Sequence, residues 1–138
     1  MEARKTEREL ERELVQRLKK WQSVEDASLR MTKEVRARSK NPFVQLVMEI
    51  IAHDSAMHKR VEQFIIDSVE KEEVSFEPED INDIWDLIER HADEEKEAIA
   101  LAGEAQKNAD DLFIPRYLFA YLREDERKHD LLLDRLIK

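Results

Sequence analysis

Acidic and imidazole side chains interrupt the apolar faces of several predicted helices, and these side chains are the ones best suited to chemistry. Glu25 and Glu95 lie within two such faces, and His58 and His129 lie within two others. An ionised group in an apolar core is costly unless it is paired or holds a cation. Carboxylate oxygens and imidazole nitrogens are suitable ligands for iron and manganese. The pattern therefore predicts that these groups meet around a shared metal ion.

The two halves of the chain repeat this pattern. Glu25 and Glu95 are 70 residues apart, and His58 and His129 are 71 residues apart. Residues four apart share one face of a helix. An aspartate lies four residues before each histidine, as Asp54 and Asp125. Each half is therefore predicted to form a helical hairpin, with a glutamate on its first helix and Asp-x-x-x-His on its second.

The elements that position these residues are predicted to be long helices. The 138 residues include one Gly, three Pro and no Cys, which favours few turns and excludes thiolate metal sites. Asn41-Pro42 is typical of a helix N-cap followed by proline at the first helical position. A second start is predicted near Pro78, and a third break is predicted at 108–111, capped by Asp110 or Asp111. The predicted fold class is all-α, with helices at about 4–39, 42–70, 79–107 and 111–137.

Each predicted helix carries an apolar face with helical spacing. Polar ionisable groups interrupt every face near its middle, and the aromatic side chains are expected to pack in the core. The face of the first helix is predicted to contain Leu14, Leu18, Trp21, Glu25, Leu29 and Thr32. The face of the second is predicted to contain Phe43, Val47, Ile50, Asp54, His58, Val61 and Ile65.

These motifs resemble the ferritin-like superfamily, which includes rubrerythrins and the small subunit of ribonucleotide reductase. In that superfamily two helices each supply a glutamate, and two others each supply Glu-x-x-His. Glu25 and Glu95 match the single glutamates, and Glu126-Arg127-Lys128-His129 matches one Glu-x-x-His. The resemblance implies a single ferritin-like four-helix domain over 1–138, built from two helical hairpins. It also implies that Asp125 hydrogen-bonds a metal-bound histidine.

The second helix departs from the superfamily pattern, because Ser55 stands where a glutamate is expected. Asp54 is a candidate replacement, and the alternative is an asymmetric site with one weak or empty position. His91, one turn before Glu95, is a further candidate ligand, and Tyr121 is a candidate donor to the site. A crossover and a plain up-down order of helices both stay open. The predicted metal ligands are Glu25, Asp54, His58, His91, Glu95, Glu126 and His129.

The resemblance implies one or two iron or manganese ions per chain, with ferroxidase or peroxidase chemistry toward oxygen or peroxide. Because the chain has no Cys, electrons would come from a separate donor. Whether the protein is an enzyme stays open. One alternative is a non-enzymatic helical-bundle interaction protein with a hydrogen-bonded polar core. Another is hemerythrin-like oxygen binding, but four histidines are too few for it and their order is wrong.

The charge pattern bears on partners and location. A net charge of −9 argues against nucleic-acid and anionic-membrane partners. The sequence has no apolar run of about 20 residues, the length of a membrane-spanning helix. Its first residues have no apolar signal core, so a cytoplasmic location is expected. The charge run Glu2–Lys20 is expected to be a solvated helix face or a surface that pairs two copies as a homodimer.

Overall fold

A computed structural model describes residues 4–71, 75–109 and 111–137, and its regular elements are α-helices. Within these ranges there is no strand, which confirms the all-α prediction. No helix in the described part of the chain is long and apolar enough to cross a bilayer. The chain divides into two compact units with their boundary between Ser75 and Phe76. The helices are α1 (Glu7–Arg38), α2 (Pro42–Glu70), α3 (Glu79–Asn82), α4 (Trp85–Asn108) and α5 (Phe113–Ile137).

Local capping determines where the two helices of the first unit begin. The Thr6 hydroxyl accepts a hydrogen bond from the backbone N–H of Glu9 at 3.2 Å, at the start of α1. Asn41 Oδ1 accepts from the backbone N–H groups of Phe43 and Val44 at 2.9 and 3.2 Å. Such caps occupy backbone donors that have no partner inside the helix. The predicted helix start at Asn41-Pro42 is therefore confirmed.

In the first unit, α1 and α2 pack against each other as an antiparallel pair. Gln45 Nε2 fixes the turn between them by donating to the carbonyls of Arg36 and Ser39, at 2.8 and 2.6 Å. Farther along the pair, Gln22 Nε2 donates to Gln63 Oε1 at 3.1 Å. The buried apolar core joins the start of α1 to the end of α2 and consists of Val15, Leu18 and Ile66, with Val69 packed against it.

The buried face of α2 is rotated by about one residue from the predicted face. Ser55, Glu62 and Ile66 are buried, whereas the prediction chose Asp54, His58, Val61 and Ile65 for the buried positions. Successive residues on a helix are about 100° apart, so one residue changes which side chains meet the neighbouring helix. On α1, Leu18, Glu25 and Thr32 are buried as expected, but Leu14 and Trp21 of the predicted face are exposed.

In the second unit, the predicted third helix is interrupted near its start. α3 begins after Pro78, as expected, and ends at Asn82. Ile84 N–H then donates to the Ile81 carbonyl at 3.0 Å in a turn that precedes α4. α4 and α5 pack against each other, and α4 buries Ile88 and Glu95.

The break between α4 and α5 lies where it was predicted. α4 ends at Asn108 and α5 begins at Phe113. Leu112 N–H donates to the Ala109 carbonyl at 2.9 Å within the connection. Of the two predicted capping residues, Asp110 lies outside the described residues, and Asp111 stands two positions before the first helical residue.

Candidate metal centre

Three of the predicted ligands come together in the second unit. Glu95 lies on α4 and is 6% exposed. Glu126 and His129 lie three residues apart on α5, so they share one face of that helix. One ligand atom from each of these residues lies within 4.8 Å of the other two. Among the residues that the structure describes, no other group of three such ligands is this compact.

His129 faces both carboxylates through the same ring nitrogen. Its Nδ1 lies 3.6 Å from Glu95 Oε1 and 3.9 Å from Glu126 Oε2. Its Nε2 lies 3.5 Å from Asp125 Oδ2, one turn earlier on α5. A carboxylate on one ring nitrogen orients the other nitrogen toward a metal. Asp125 therefore contacts the ring nitrogen opposite the two glutamates, and its role in supporting a metal-bound histidine stays a prediction.

The carboxylates of the two glutamates in this cluster lie close together, and each affects the protonation of the site. Hydrogen bonding to the Glu95 carboxyl is the main cause that raises the pKa of Glu126, and burial and the Glu95 charge add to it. The nearby His129 opposes this increase in the pKa. Glu95 Oε2 is buried and accepts no hydrogen bond from residues 4–71, 75–109 or 111–137. Two carboxylates so close together are stabilised by a cation, either a shared proton or a metal ion.

His91 and Tyr121, the other two residues predicted for the site in this unit, lie outside the three-residue cluster. His91 Nε2 lies 2.9 Å from Glu95 Oε1, and His91 Nδ1 lies 3.2 Å from Glu94 Oε2. His91 thus contacts the buried glutamate from the exposed side of α4. Tyr121 is half-buried one turn before Asp125, and its donation to the site stays a prediction.

The first unit contains a matching glutamate and histidine. Glu25 on α1 is 7% exposed. His58 Nδ1 lies 3.6 Å from Glu25 Oε1, the same atoms and the same separation as in the His129–Glu95 contact. In each unit, one contact between a glutamate and a histidine thus links the two long helices.

Ser55 and Asp54, the residue that departs from the superfamily pattern and its candidate replacement, both lie before His58. Ser55 is buried, and its hydroxyl donates to Ser28 Oγ on α1 at 3.0 Å. Asp54 is half-buried and forms no hydrogen bond or ion pair with the described residues. The structure therefore brings Glu25 and His58 together but does not bring Asp54 to them.

Glu62 is an acid in the first unit that the sequence analysis missed. It is 3% exposed, and its Oε1 is buried without a hydrogen-bond partner in the part of the chain that the structure describes. Burial is the main cause that raises its pKa, the Glu25 charge adds to the increase, and His58 opposes it. A signal for Glu62 was present, because it lies one turn after His58. It was passed over because the predicted face of α2 was rotated by one residue.

The two units thus share a Glu–His contact and differ in their second acid. Glu126 lies one turn before its histidine, whereas Glu62 lies one turn after its histidine.

No protein-family model matches the chain, and no curated protein or solved structure matches it significantly.

Proposed function

We propose that the chain is a ferritin-like metalloprotein that holds iron or manganese at Glu95, Glu126 and His129. One observation supports this most strongly. Oε2 of the buried Glu95 has no hydrogen-bond partner among the described residues, and Oε1 of the same carboxylate lies 3.6 Å from His129 Nδ1, in a cluster that also contains Glu126. A metal ion would give Oε2 a partner and would neutralise the repulsion between the two acids.

The donor set fits iron or manganese. Two carboxylates and one imidazole are ligands that suit these ions. Three protein ligands leave coordination positions open for small molecules. The Asp125 carboxylate lies 3.5 Å from the far nitrogen of His129 and would hold the orientation of the ring.

The proposal includes a ferritin-like four-helix bundle and a redox role. The resemblance of the spacing motifs supports it, as does the Glu–His contact that each helix pair carries. Bound iron would supply electron transfer to oxygen or peroxide, with electrons from a separate donor because the chain has no Cys. The protein's own residues would bind the ion and hold the imidazole in place.

A non-enzymatic polar core is the second candidate, and two observations favour it. Ser55 replaces the expected glutamate and is satisfied by its hydrogen bond to Ser28. The raised pKa of Glu126 fits a proton held between its carboxyl and that of Glu95. In this alternative the cation shared by the two acids is a proton.

Equilibrium dialysis against Mn²⁺, and against Fe²⁺ without oxygen, separates the two candidates. The metalloprotein proposal predicts that the Glu126→Gln variant binds one ion fewer than the wild-type chain. Glu124→Gln is the matched control, because Glu124 is exposed on the same helix and pairs with Arg127 at 2.9 Å. Glu124→Gln is expected to bind as the wild type does. If the wild-type chain retains no metal, or if Glu126→Gln binds as much as the wild type, the metalloprotein proposal is wrong.

A further inference from the structure

Glu62 is the buried acid that the proposed centre does not use. Only 3% of its surface is exposed, and no described residue forms a hydrogen bond with its Oε1. Leaving a buried carboxylate oxygen without a partner is costly, because the water it lost is not replaced. Such an atom in a native protein therefore indicates an unseen proton, water or ion.

The surroundings of Glu62 offer both ligands and space. Glu62 and His58 line one cavity of about 190 Å³. Apolar side chains form the rest of the wall, among them Leu18 and Trp21. His58 also contacts Glu25 through Nδ1 at 3.6 Å. Carboxylates from both helices of the first unit therefore flank this imidazole.

No lysine or arginine in the described residues forms an ion pair with Glu25 or Glu62. Lys59, which follows His58 on α2, is engaged by Asp26 on α1, with Nζ 2.7 Å from Oδ1. Gln63, the next residue after Glu62, is held by Gln22 and Asp67. These contacts fix the two helices beside the cluster without bringing a lysine or arginine of the described residues to its carboxylates.

We propose that Glu25, His58 and Glu62 form a second site for a divalent transition-metal ion such as Mn²⁺ or Fe²⁺. Glu62 supplies the second carboxylate, which the Ser55 position lacks. The ligand lies one turn after the histidine instead of one turn before it. This inference extends the proposed function to the first unit, but it depends on residues other than those of the centre at Glu95.

The site needs a small side-chain adjustment. Only the Glu95 cluster has all three ligand atoms within 4.8 Å in the described chain, so the Glu25, His58 and Glu62 ligand atoms are farther apart. The His58 side chain is 59% exposed and has room to change rotamer. A rotation that places the ring between Glu25, which it already contacts, and Glu62, with which it shares the cavity, would bring the three ligands around one ion.

Titration with Mn²⁺, followed by the electron paramagnetic resonance signal of the free aquo ion, tests this inference. Glu62→Gln is expected to bind one ion fewer than the full wild-type chain, since the amide keeps the shape of the side chain but loses the charge. His58→Ala is expected to lose the same ion, and because His58 is exposed this variant should keep the fold. Glu70→Gln, an exposed position on the same helix, is the control and should bind as the wild type does.

The outcomes separate this site from the one proposed in the second unit. In a Glu126→Gln background, adding Glu62→Gln should remove the Mn²⁺ binding that remains. If Glu62→Gln and His58→Ala both bind as the wild type does, the second site does not exist, whatever Glu126→Gln shows. If only Glu126→Gln leaves binding unchanged, the centre at Glu95 is wrong and the site at Glu62 stands.

Discussion

His129 Nδ1 lies 3.6 Å from Glu95 Oε1, and this contact joins α5 to the buried acid of α4. The first unit repeats the contact with His58 and Glu25 at the same separation. In both units the glutamate is buried and the histidine is more exposed. A buried carboxylate reached by an imidazole from the neighbouring helix is thus the shared structural element from which the proposed metal chemistry follows.

Glu126→Gln is expected to stabilise the metal-free protein, and to do so more at neutral pH than in acid. The pKa of Glu126 is raised in the folded chain, so the native state binds its proton more tightly than the unfolded state does. A raised carboxyl pKa makes stability fall as pH increases from the ordinary value of about 4.3 through the raised value. At low pH the carboxyl is protonated in both states and the difference disappears.

Urea denaturation of the metal-free wild type and the Glu126→Gln variant across this pH range measures the effect on the free energy of unfolding. Glu124→Gln is the control and should show no such pH-dependent difference. A gain in stability for Glu126→Gln that is the same at every pH would contradict the assigned cause.

Asp125→Asn is expected to weaken Mn²⁺ binding by roughly 10- to 100-fold, as changes to the partners of metal-bound histidines commonly do. The reason is that Asp125 Oδ2 lies 3.5 Å from His129 Nε2 and supports the ring from the side opposite the carboxylates. Equilibrium dialysis gives the dissociation constant. Asp130→Asn on the same helix is the control, and equal affinity of the Asp125 and Asp130 variants would show that Asp125 has no supporting role.

Ser55→Ala is expected to lower the free energy of unfolding by about 1 kcal/mol, the usual net worth of a hydrogen bond. Its hydroxyl donates to Ser28 Oγ across the two helices of the first unit. Urea denaturation of Ser55→Ala, Ser28→Ala and the double variant tests whether one bond is shared, since the double variant should then cost less than the two singles together. Mn²⁺ binding should stay unchanged in all three, and a loss of binding would make Ser55 part of the site.

Asn41→Ala is expected to destabilise the first unit by about 1 kcal/mol, because Asn41 Oδ1 caps two backbone donors at the start of α2. Thermal denaturation followed by circular dichroism measures the shift, with the exposed Lys40→Ala as control. Equal melting temperatures for the two variants would show that the cap contributes nothing.

Local chemistry in the sequence was sufficient to predict most helix boundaries. Asn41-Pro42 and Pro78 carry their own capping and proline signals, and helices begin there. The turn at Asp83-Ile84 was missed because neither residue is a helix breaker. The rotation of α2 was also missed, because long-range packing determines which of two adjacent residues meets the neighbouring helix.

The same distinction between local sequence signals and long-range packing separates the site residues that were predicted from those that were not. Glu95 and His129 were predicted from the polar interruptions of the apolar faces, and Glu126 was predicted from the resemblance to the Glu-x-x-His motif. The structure brings the three together because a three-residue spacing keeps Glu126 and His129 on one face. Glu62 was not predicted, because its importance depends on the rotation of α2 and on the burial that follows from it. Asp54 was chosen in its place for the same reason.

The most direct test of the account is a crystal structure of the Mn²⁺-loaded chain with an anomalous difference map collected near the manganese absorption edge. The account predicts a peak within bonding distance of Glu95, Glu126 and His129 Nδ1, with Asp125 on the opposite nitrogen of the ring. A map from metal-loaded crystals that shows no peak between these three side chains would contradict it.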